Sequence, residues 1–268
     1  MKEFKDLSYG PYGERNLLDL YLPDQSNFPA PLVVLIHGGG WRSGSKSAHE
    51  WSARSLAKEG FASASIQYRF WPEWVFPAAV DDAYQAVYWL QNNAARFGID
   101  PERIGFFGTS AGAHISSFLA LNTNHSCKQN EPCIQPINAR CVVDCYGPVD
   151  FIWMMQTASA ELVGGFMGKP LRADTVTDYL SASPTAMIRQ NPPPFLILHG
   201  TLDTGEKMGD VPIGISLKFA ENLKAMGGDV ELVVIEGAPH GFMCNSESTF
   251  FKQHWPLVLK FLHKHLDS

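Results

Sequence analysis

Short apolar runs recur along the chain, each bounded by glycine, proline or asparagine. Several of them are continuous rather than alternating, which is typical of strands that are covered on both faces. The runs are LVVLI at 32–36, FASASIQY at 61–68, RIGFF at 103–107, CVVDCY at 141–146, FLILH at 195–199 and VELVVIE at 230–236. The segment LLDLYL at 17–22 alternates better, and we expect it to form an antiparallel edge strand.

Helical spacing of apolar residues appears between these runs. The segments 80–94, 217–226 and 248–266 place apolar residues three or four positions apart, which gives each of them one apolar face. The second of these segments is followed by glycines at 227 and 228, which commonly end a helix. Strands that alternate with helices predict an α/β fold with a mostly parallel sheet and right-handed crossovers.

The segment 148–192 interrupts this alternation. It lies between two predicted strands and is longer than a plain crossover requires. We interpret it as a short, cap-like helical insertion over the C-terminal edge of the sheet. No internal repeat, low-complexity tract or linker is visible, so residues 1–268 are predicted to form a single domain that contains this insertion.

Charge and hydropathy exclude several classes of partner. The formal net charge is −6 and no basic stripe is present, which argues against nucleic acid binding. No run of 18 apolar residues occurs, so we expect no transmembrane helix and no membrane partner. The first residues lack an apolar segment typical of a signal peptide, but a secreted mature form would look the same. The compartment therefore stays open between the cytoplasm and secretion, and so does the question of a homodimer.

The five cysteines do not form a recognisable metal or redox motif. No CxxC occurs, which argues against a zinc site or a thioredoxin-like pair. Cys127 and Cys133 flank a polar loop, and we favour free thiols there over a disulfide, which stays an open alternative. An odd number of cysteines leaves at least one free thiol in either case.

The stretch GTSAG at 108–112 places a serine between two glycines where a buried strand turns into a helix. This fits the pattern G-x-S-x-G, in which a sharp turn leaves no room for side chains beside the serine. Ser110 would project its hydroxyl above the sheet, and the N-terminus of the following helix would favour negative charge there. We therefore predict that Ser110 is a nucleophile.

A serine hydroxyl needs a base, and the base needs an acid to orient it. His240 follows the strand at 230–236 and precedes the last helix, which places it at the same sheet edge as Ser110. We prefer it to the other late histidines, namely His199, His254, His263 and His265. Asp203 follows the preceding strand and is the predicted acid. Asp210 in the same loop stays an alternative, and Asp150 is a weaker one.

The segment HGGGW at 37–41 follows another buried strand directly. Glycines let backbone N–H groups approach a reacting oxygen closely, and such donors stabilise an oxyanion. We predict that Gly39, Gly40 and Ala111 form an oxyanion hole, with Gly38 a weaker candidate. His37 is expected to hold the loop through hydrogen bonds rather than to act as a second base.

Aromatic and methionine side chains are the candidates for contact with a substrate. Our candidate substrate-binding residues are Trp41, Trp71 and Trp153. Trp71, with Trp74 and Phe76, either lines the mouth of the site or packs within a loop. Trp153 and its neighbours Met154, Met155, Phe166 and Met167 either form an acyl pocket or cover the sheet.

The motifs HGGGW, GTSAG, HGTLD and PHGF, in this order, resemble those of the α/β-hydrolase serine esterases. The branch similar to hormone-sensitive lipase and the compact microbial acetyl and feruloyl esterases is the best match, over residues 8–265. The resemblance implies an eight-stranded sheet and a Ser-His-Asp mechanism that needs no metal and no cofactor. It implies a carboxylesterase for short-chain or carbohydrate-linked esters, so that the partner is a small-molecule or carbohydrate ester. One departure is the insert TGEKMGD at 204–210, which separates Asp203 from Val211 further than in relatives.

Other functions stay open on the same motifs. The segment HGGGW also resembles the loop of kynurenine formamidases, which are amide hydrolases with the same triad. A peptidase of the prolyl oligopeptidase type is disfavoured because no extra gating domain is encoded. A non-catalytic ligand-binding protein on the same fold is disfavoured because all three triad residue types are present.

Overall fold

One sheet of eight strands runs through the part of the chain that the computed structural model describes, residues 1–24, 29–122 and 137–267. The strands are β1 Lys2–Ser8, β2 Leu17–Leu22, β3 Ala30–Ile36, β4 Ala62–Ile66, β5 Ile99–Thr109, β6 Ala139–Cys145, β7 Phe195–Gly200 and β8 Val230–Ile235. Their order in the sheet is β1-β2-β4-β3-β5-β6-β7-β8. The pairs β1–β2 and β2–β4 are antiparallel and the others are parallel, as the alternation of strands and helices predicts.

Helices cover both faces of the sheet. They are α1 Glu50–Lys58, α2 Ala78–Asn92, α3 Ala94–Phe97, α4 Ala111–Leu121, α5 Phe151–Met154, α6 Ala160–Met167, α7 Val176–Ser181, α8 Ile213–Ala225 and α9 Thr249–Leu266, and 3₁₀ helices cover Gly13–Asn16, Lys46–His49 and Pro184–Met187. Every residue of β3 is buried. Leu32 and Val34 contribute to the core that includes residues of α2, α4 and α8, whereas Val33 and Leu35 face the core that includes α1 and α9. This double burial explains the continuous apolar runs.

The outermost strand on one side is β1, which the hydrophobic pattern does not indicate. We expected β2 to be the edge strand, and this was wrong, because β1 pairs with it from Lys2↔Leu22 to Ser8↔Leu17. Most residues of β1 are exposed, whereas all residues of β2 except Leu17 are buried. A strand that faces solvent can be polar, so its sequence KEFKDLS carries no apolar signal.

The helices α5, α6 and α7 all lie within the segment 148–192. Leu162 and Val163 of α6 and Met154 of α5 line a cavity beside Ser110. That this segment is a cap-like insertion in a single domain stays a prediction. Among the described helices, no span has both the length and the apolar character that crossing a membrane requires.

The thiols of Cys141, Cys145 and Cys244 are free. Cys141 and Cys145 are buried in β6, and Cys244 is exposed. Cys127 and Cys133 lie outside the described residues, so the choice between free thiols and a disulfide stays open there.

Buried histidines make the stability of this fold sensitive to acid. Burial lowers the pKa of His37 to about 4, that of His49 to about 3 and that of His114 to about 4. The unfolded chain takes up these protons below about pH 6.5, whereas the folded chain does so only near the lowered values. Stability should therefore fall as the pH decreases from about 6.5 towards 4.

We expect the free energy of unfolding to be lower at pH 5 than at pH 7 by about 2 kcal/mol for each of these rings. Denaturant titration at both pH values measures the change. In His114→Gln the loss between pH 7 and pH 5 should shrink by the share of one ring, because glutamine does not titrate. An equal loss in wild type and variant would contradict the assignment.

Candidate active site

Ser110 stands at the turn between β5 and α4. Its backbone has φ 53° and ψ −121°, a conformation that non-glycine residues rarely adopt. A Cβ atom on Gly112 would overlap the carbonyl oxygen of Ile36, and one on Gly108 would overlap the backbone of Gly112. Both glycines are therefore required for the sharp turn, as the motif predicts. The N–H of Ser110 donates to the carbonyl of Cys145 at 2.9 Å, which ties the turn to β6.

The imidazole of His240 lies between Ser110 and Asp203. Its Nε2 is 2.9 Å from Ser110 Oγ, and its Nδ1 is 2.6 Å from Asp203 Oδ2. The ring of Tyr146 meets that of His240 edge-on, with 4.7 Å between the ring centroids. The three predicted triad residues, which come from the ends of β5, β7 and β8, thus form one hydrogen-bonded chain.

The carboxylate of Asp203 is fully buried. Its Oδ1 accepts the N–H of Val211 at 2.7 Å, while Oδ2 faces His240. Burial raises the pKa of Asp203, but hydrogen bonds from His199 and His240 outweigh it and leave the pKa below the usual value. Asp203 is therefore an anion at neutral pH, as an acid that orients a base must be.

The alternative acids lie elsewhere. The carbonyl of Asp210 accepts the Ser159 hydroxyl at 2.9 Å, and no contact joins its carboxylate to His240 in the described part of the chain. Asp150 caps α5 by accepting the N–H of Trp153 at 3.0 Å. The insert 204–210 therefore does not displace Asp203 from the imidazole.

The other candidate histidines make separate contacts. His254 bonds to the Phe250 carbonyl, His263 bonds to Asp267, and His265 lies 3.8 Å from Asp229. His37 is buried and its Nδ1 is 2.7 Å from the Gly38 carbonyl, so it contacts the loop that we expected it to hold.

The glycine loop after β3 has unpaired backbone donors next to Ser110. Gly39 and Gly40 have φ values of 116° and 60°, and a Cβ on Gly39 would overlap the carbonyl of Ser43. The carbonyl of Gly39 accepts the N–H groups of Arg42 and Ser43, which closes the loop into a tight turn. Within residues 1–24, 29–122 and 137–267, the N–H groups of Gly39, Gly40 and Ala111 donate to no protein acceptor. These three residues and Gly38 line the same cavity as Ser110.

A cavity of about 360 Å³ opens beside Ser110 and His240. Its walls are largely apolar and include Trp41, Met154, Leu162, Val163 and Val211. Arg42 of the glycine loop and Met208 also line the cavity, and both are exposed; the Arg42 guanidinium lies 3.9 Å from the Sδ of Met208.

The insert 204–210 forms part of the cavity wall through Met208 and Gly209. Ser159 holds it in place, because its Oγ accepts the N–H of Gly209 and donates to the carbonyl of Asp210, both at 2.9 Å. The N–H of Ala158 also donates to the carbonyl of Gly205. The insert is thus bound to the segment between α5 and α6.

The predicted substrate-binding tryptophans need correction. Trp41 lines the cavity, with its ring stacked on Phe166 at a centroid distance of 4.6 Å. Trp71 and Trp153 do not line it. Trp71 packs against Gly165 and donates its Nε1–H to the Gly40 carbonyl at 2.9 Å, so it supports the glycine loop. Trp153 packs against Gly214 of α8.

Several residues at the site were not identified from the sequence. Tyr146 and Cys244 line the cavity, and the Tyr146 hydroxyl is 3.4 Å from Cys244 Sγ. His199 was considered as an alternative base, and its contact with Asp203 was not anticipated. The position of Tyr146 at the C-terminal end of a central strand was the available signal. Among the residues that the structure describes, no cluster of three histidine, cysteine or acidic side chains is placed to hold a metal ion.

Comparison with known proteins identifies the family of the chain. A model of the BD-FAE family matches residues 18–223. The probable carboxylic ester hydrolase LipM of Mycobacterium tuberculosis is 33% identical over 231 residues, which cover 82% of this chain and 51% of LipM. The chain thus spans about half the length of the curated relatives it matches.

Two solved structures extend the likeness over nearly the whole chain. A truncated carbohydrate esterase from gut microbiota has a TM-score of 0.84 at 24% identity, covering 100% of this chain and 97% of that one. The Est2 esterase of Thermogutta terrifontis with propionate bound has a TM-score of 0.79 at 25% identity, covering 96% and 93%. These matches confirm the predicted α/β-hydrolase fold and the predicted resemblance to serine esterases.

Proposed function

The chain belongs to the BD-FAE family, and from this premise we propose that it is a carboxylic ester hydrolase that works through an acyl-enzyme on Ser110. The observation that carries the proposal is the chain of contacts from Ser110 Oγ to His240 Nε2 at 2.9 Å and from His240 Nδ1 to Asp203 Oδ2 at 2.6 Å. The free N–H groups of Gly39, Gly40 and Ala111 stand beside it.

In the first step, His240 Nε2 takes the proton of Ser110 as its oxygen attacks the ester carbonyl. Asp203 accepts the Nδ1–H of His240, so the unprotonated Nε2 faces the serine and the resulting imidazolium is stabilised. The carbonyl oxygen becomes an oxyanion that receives hydrogen bonds from Gly39, Gly40 and Ala111. The imidazolium then returns its proton to the leaving alcohol. Water, activated by the same base, releases the acid from Ser110.

The dimensions of the cavity favour esters with a short acyl chain. Its volume of about 360 Å³ is near the lower end of the range for ligand pockets, about 300–1,000 Å³. Leu162 closes one wall because it packs closely against the glycine loop. If Gly40 carried a Cβ atom, that atom would lie 3.4 Å from the methyl groups of Leu162. The related Est2 structure has propionate bound, an acid with a short acyl chain.

A series of p-nitrophenyl esters from acetate to octanoate tests this preference. We expect kcat/KM to be highest for acetate to butyrate and to fall for octanoate. In Leu162→Ala, the octanoate-to-acetate ratio should rise by about 10-fold or more, because a removed wall admits additional methylene groups. Leu217→Ala, at an exposed position of α8, is the matched control and should keep the ratio of the wild type. A wild-type optimum at octanoate would overturn the short-chain proposal.

The natural substrate class is tested with a panel of acetylated xylan, feruloyl esters, p-nitrophenyl acetate and N-formylkynurenine. Turnover of the acetyl or feruloyl carbohydrate esters at rates above the simple ester would support a carbohydrate-linked substrate. Preferential turnover of N-formylkynurenine would favour the amide hydrolase instead. No turnover of any ester, together with no labelling of Ser110 by a fluorophosphonate, would contradict the proposed activity.

A further inference from the structure

A second histidine contacts the carboxylate of Asp203. His199, in β7, is fully buried, and its Nε2 lies 3.2 Å from Asp203 Oδ2. The same Nε2 is 2.9 Å from the carbonyl oxygen of Val211, and Nδ1 is 2.7 Å from the hydroxyl of Ser216 in α8. Both ring nitrogens of His199 are therefore used, although the ring does not reach the nucleophile.

The partners of His199 fix its tautomer. A carbonyl oxygen can only accept, so Nε2 carries the hydrogen and shares it between Val211 and Asp203. The Ser216 hydroxyl then donates to Nδ1. Oδ2 of Asp203 consequently accepts from two imidazoles, since His240 Nδ1 donates to the same atom at 2.6 Å.

The contacts of His199 also close a ring of hydrogen bonds around the acid. The backbone of Val211 donates to Asp203 Oδ1 at 2.7 Å and accepts from His199, while the N–H of Ile213 donates to the Asp203 carbonyl at 3.2 Å. The imidazole of His199 thereby joins three segments: the end of β7, the turn that carries Asp203 and the far end of the insert 204–210.

We infer that His199 is a positioning residue of the proposed triad, which holds the Asp203 carboxylate in the orientation that His240 requires and draws part of its charge away from His240. The inference rests on the proposed function, because Asp203 orients a catalytic base only if the protein is a hydrolase of the proposed kind. Two effects follow. Without His199, the carboxylate is less well oriented, and its charge acts more strongly on the His240 imidazole.

The charged surroundings of His199 come from three elements in the described part of the chain. Asp203 lies in the turn after β7, His240 lies in the loop after β8, and Asp144 of β6 is also close enough to interact. Burial raises the pKa of Asp144, even though Ser117 and the N–H of Gly147 donate to it. Of the two carboxylates, Asp203 is the one that contacts the imidazoles of both His199 and His240.

The test uses His199→Leu and His199→Gln in the full chain, with p-nitrophenyl acetate as the probe. We expect His199→Leu to lower kcat/KM by about 10- to 100-fold, the range for losing a hydrogen bond to a charged group. The acid limb of its profile of kcat/KM against pH should move up by about half a pH unit, because an unshared carboxylate makes His240 more basic. His199→Gln keeps an N–H donor and should restore most of the rate and the position of the limb.

Phe219→Leu is the control for a loss of packing alone, since Phe219 is buried in α8 against Phe195 and away from the triad. It should lower the free energy of unfolding and leave the acid limb in place. If the limb of His199→Leu is unmoved or moves down, or if His199→Gln behaves as His199→Leu does, the positioning role is wrong. Failure of the proposed function gives a different result. In that case the wild-type protein either does not turn over the ester, or its turnover persists in Ser110→Ala.

Discussion

Ser110→Ala is expected to lower kcat for p-nitrophenyl acetate by about 10⁴- to 10⁶-fold. The variant keeps the cavity, the unpaired N–H groups and the imidazole, but it removes the only atom within 3 Å of His240 Nε2 that can form an acyl bond in the described structure. The residual rate would come from binding and from the oxyanion donors alone. Stopped assays at high protein concentration measure the residual rate.

Labelling separates this loss from unfolding. A fluorophosphonate should modify the wild-type protein once, at Ser110, and should leave Ser110→Ala unlabelled. Ser181→Ala, which changes an exposed serine of α7, is the matched control and should retain both activity and labelling. Near-normal turnover by Ser110→Ala would show that another residue is the nucleophile.

Asp203→Asn is expected to lower kcat by about 10⁴-fold. The Val211 N–H donates to the Oδ1 position of residue 203, so the amide oxygen of asparagine should occupy that position. Its NH₂ group would then face His240 Nδ1, which must accept and therefore leaves its hydrogen on Nε2. In that tautomer Nε2 cannot take the proton of Ser110.

Asp210→Asn is the matched control for this change, because it makes the same substitution seven residues later in the same loop. Its carboxylate has no contact with His240 in the described structure, and we expect kcat to stay within about 3-fold of the wild type, as for other surface changes. A large loss in Asp210→Asn with little loss in Asp203→Asn would reverse the assignment of the acid. Measuring kcat and the free energy of unfolding for both variants decides the question.

The central sheet and the residues of the proposed triad could be predicted from the sequence because they follow from local rules. Buried parallel strands require continuous apolar runs, and a strand-to-helix turn as sharp as that at Ser110 requires Gly108 and Gly112. The acid was less certain, because loop length does not say which carboxylate turns inward. The structure distinguishes Asp203 from Asp210 in part because the N–H of Val211 donates to the Asp203 carboxylate. The path of the insert sets this contact.

What the sequence did not predict depends on packing between distant segments. The polar strand β1 pairs through its backbone, which leaves no side-chain pattern to read. Trp71 packs against Gly165 and Trp153 packs against Gly214, and in each pair the two residues are far apart in the sequence. The second imidazole at Asp203 was hidden for the same reason, because Val211 and Ser216 fix the direction in which His199 points.

The bridge from Ser159 to Gly209 and Asp210 has a consequence for attempts to redesign selectivity. Grafting a larger α5–α6 region to admit bulky acyl groups would also pull on the turn that carries Asp203. Gains in substrate range obtained there should therefore be accompanied by slower proton transfer, unless the graft retains a hydroxyl at position 159.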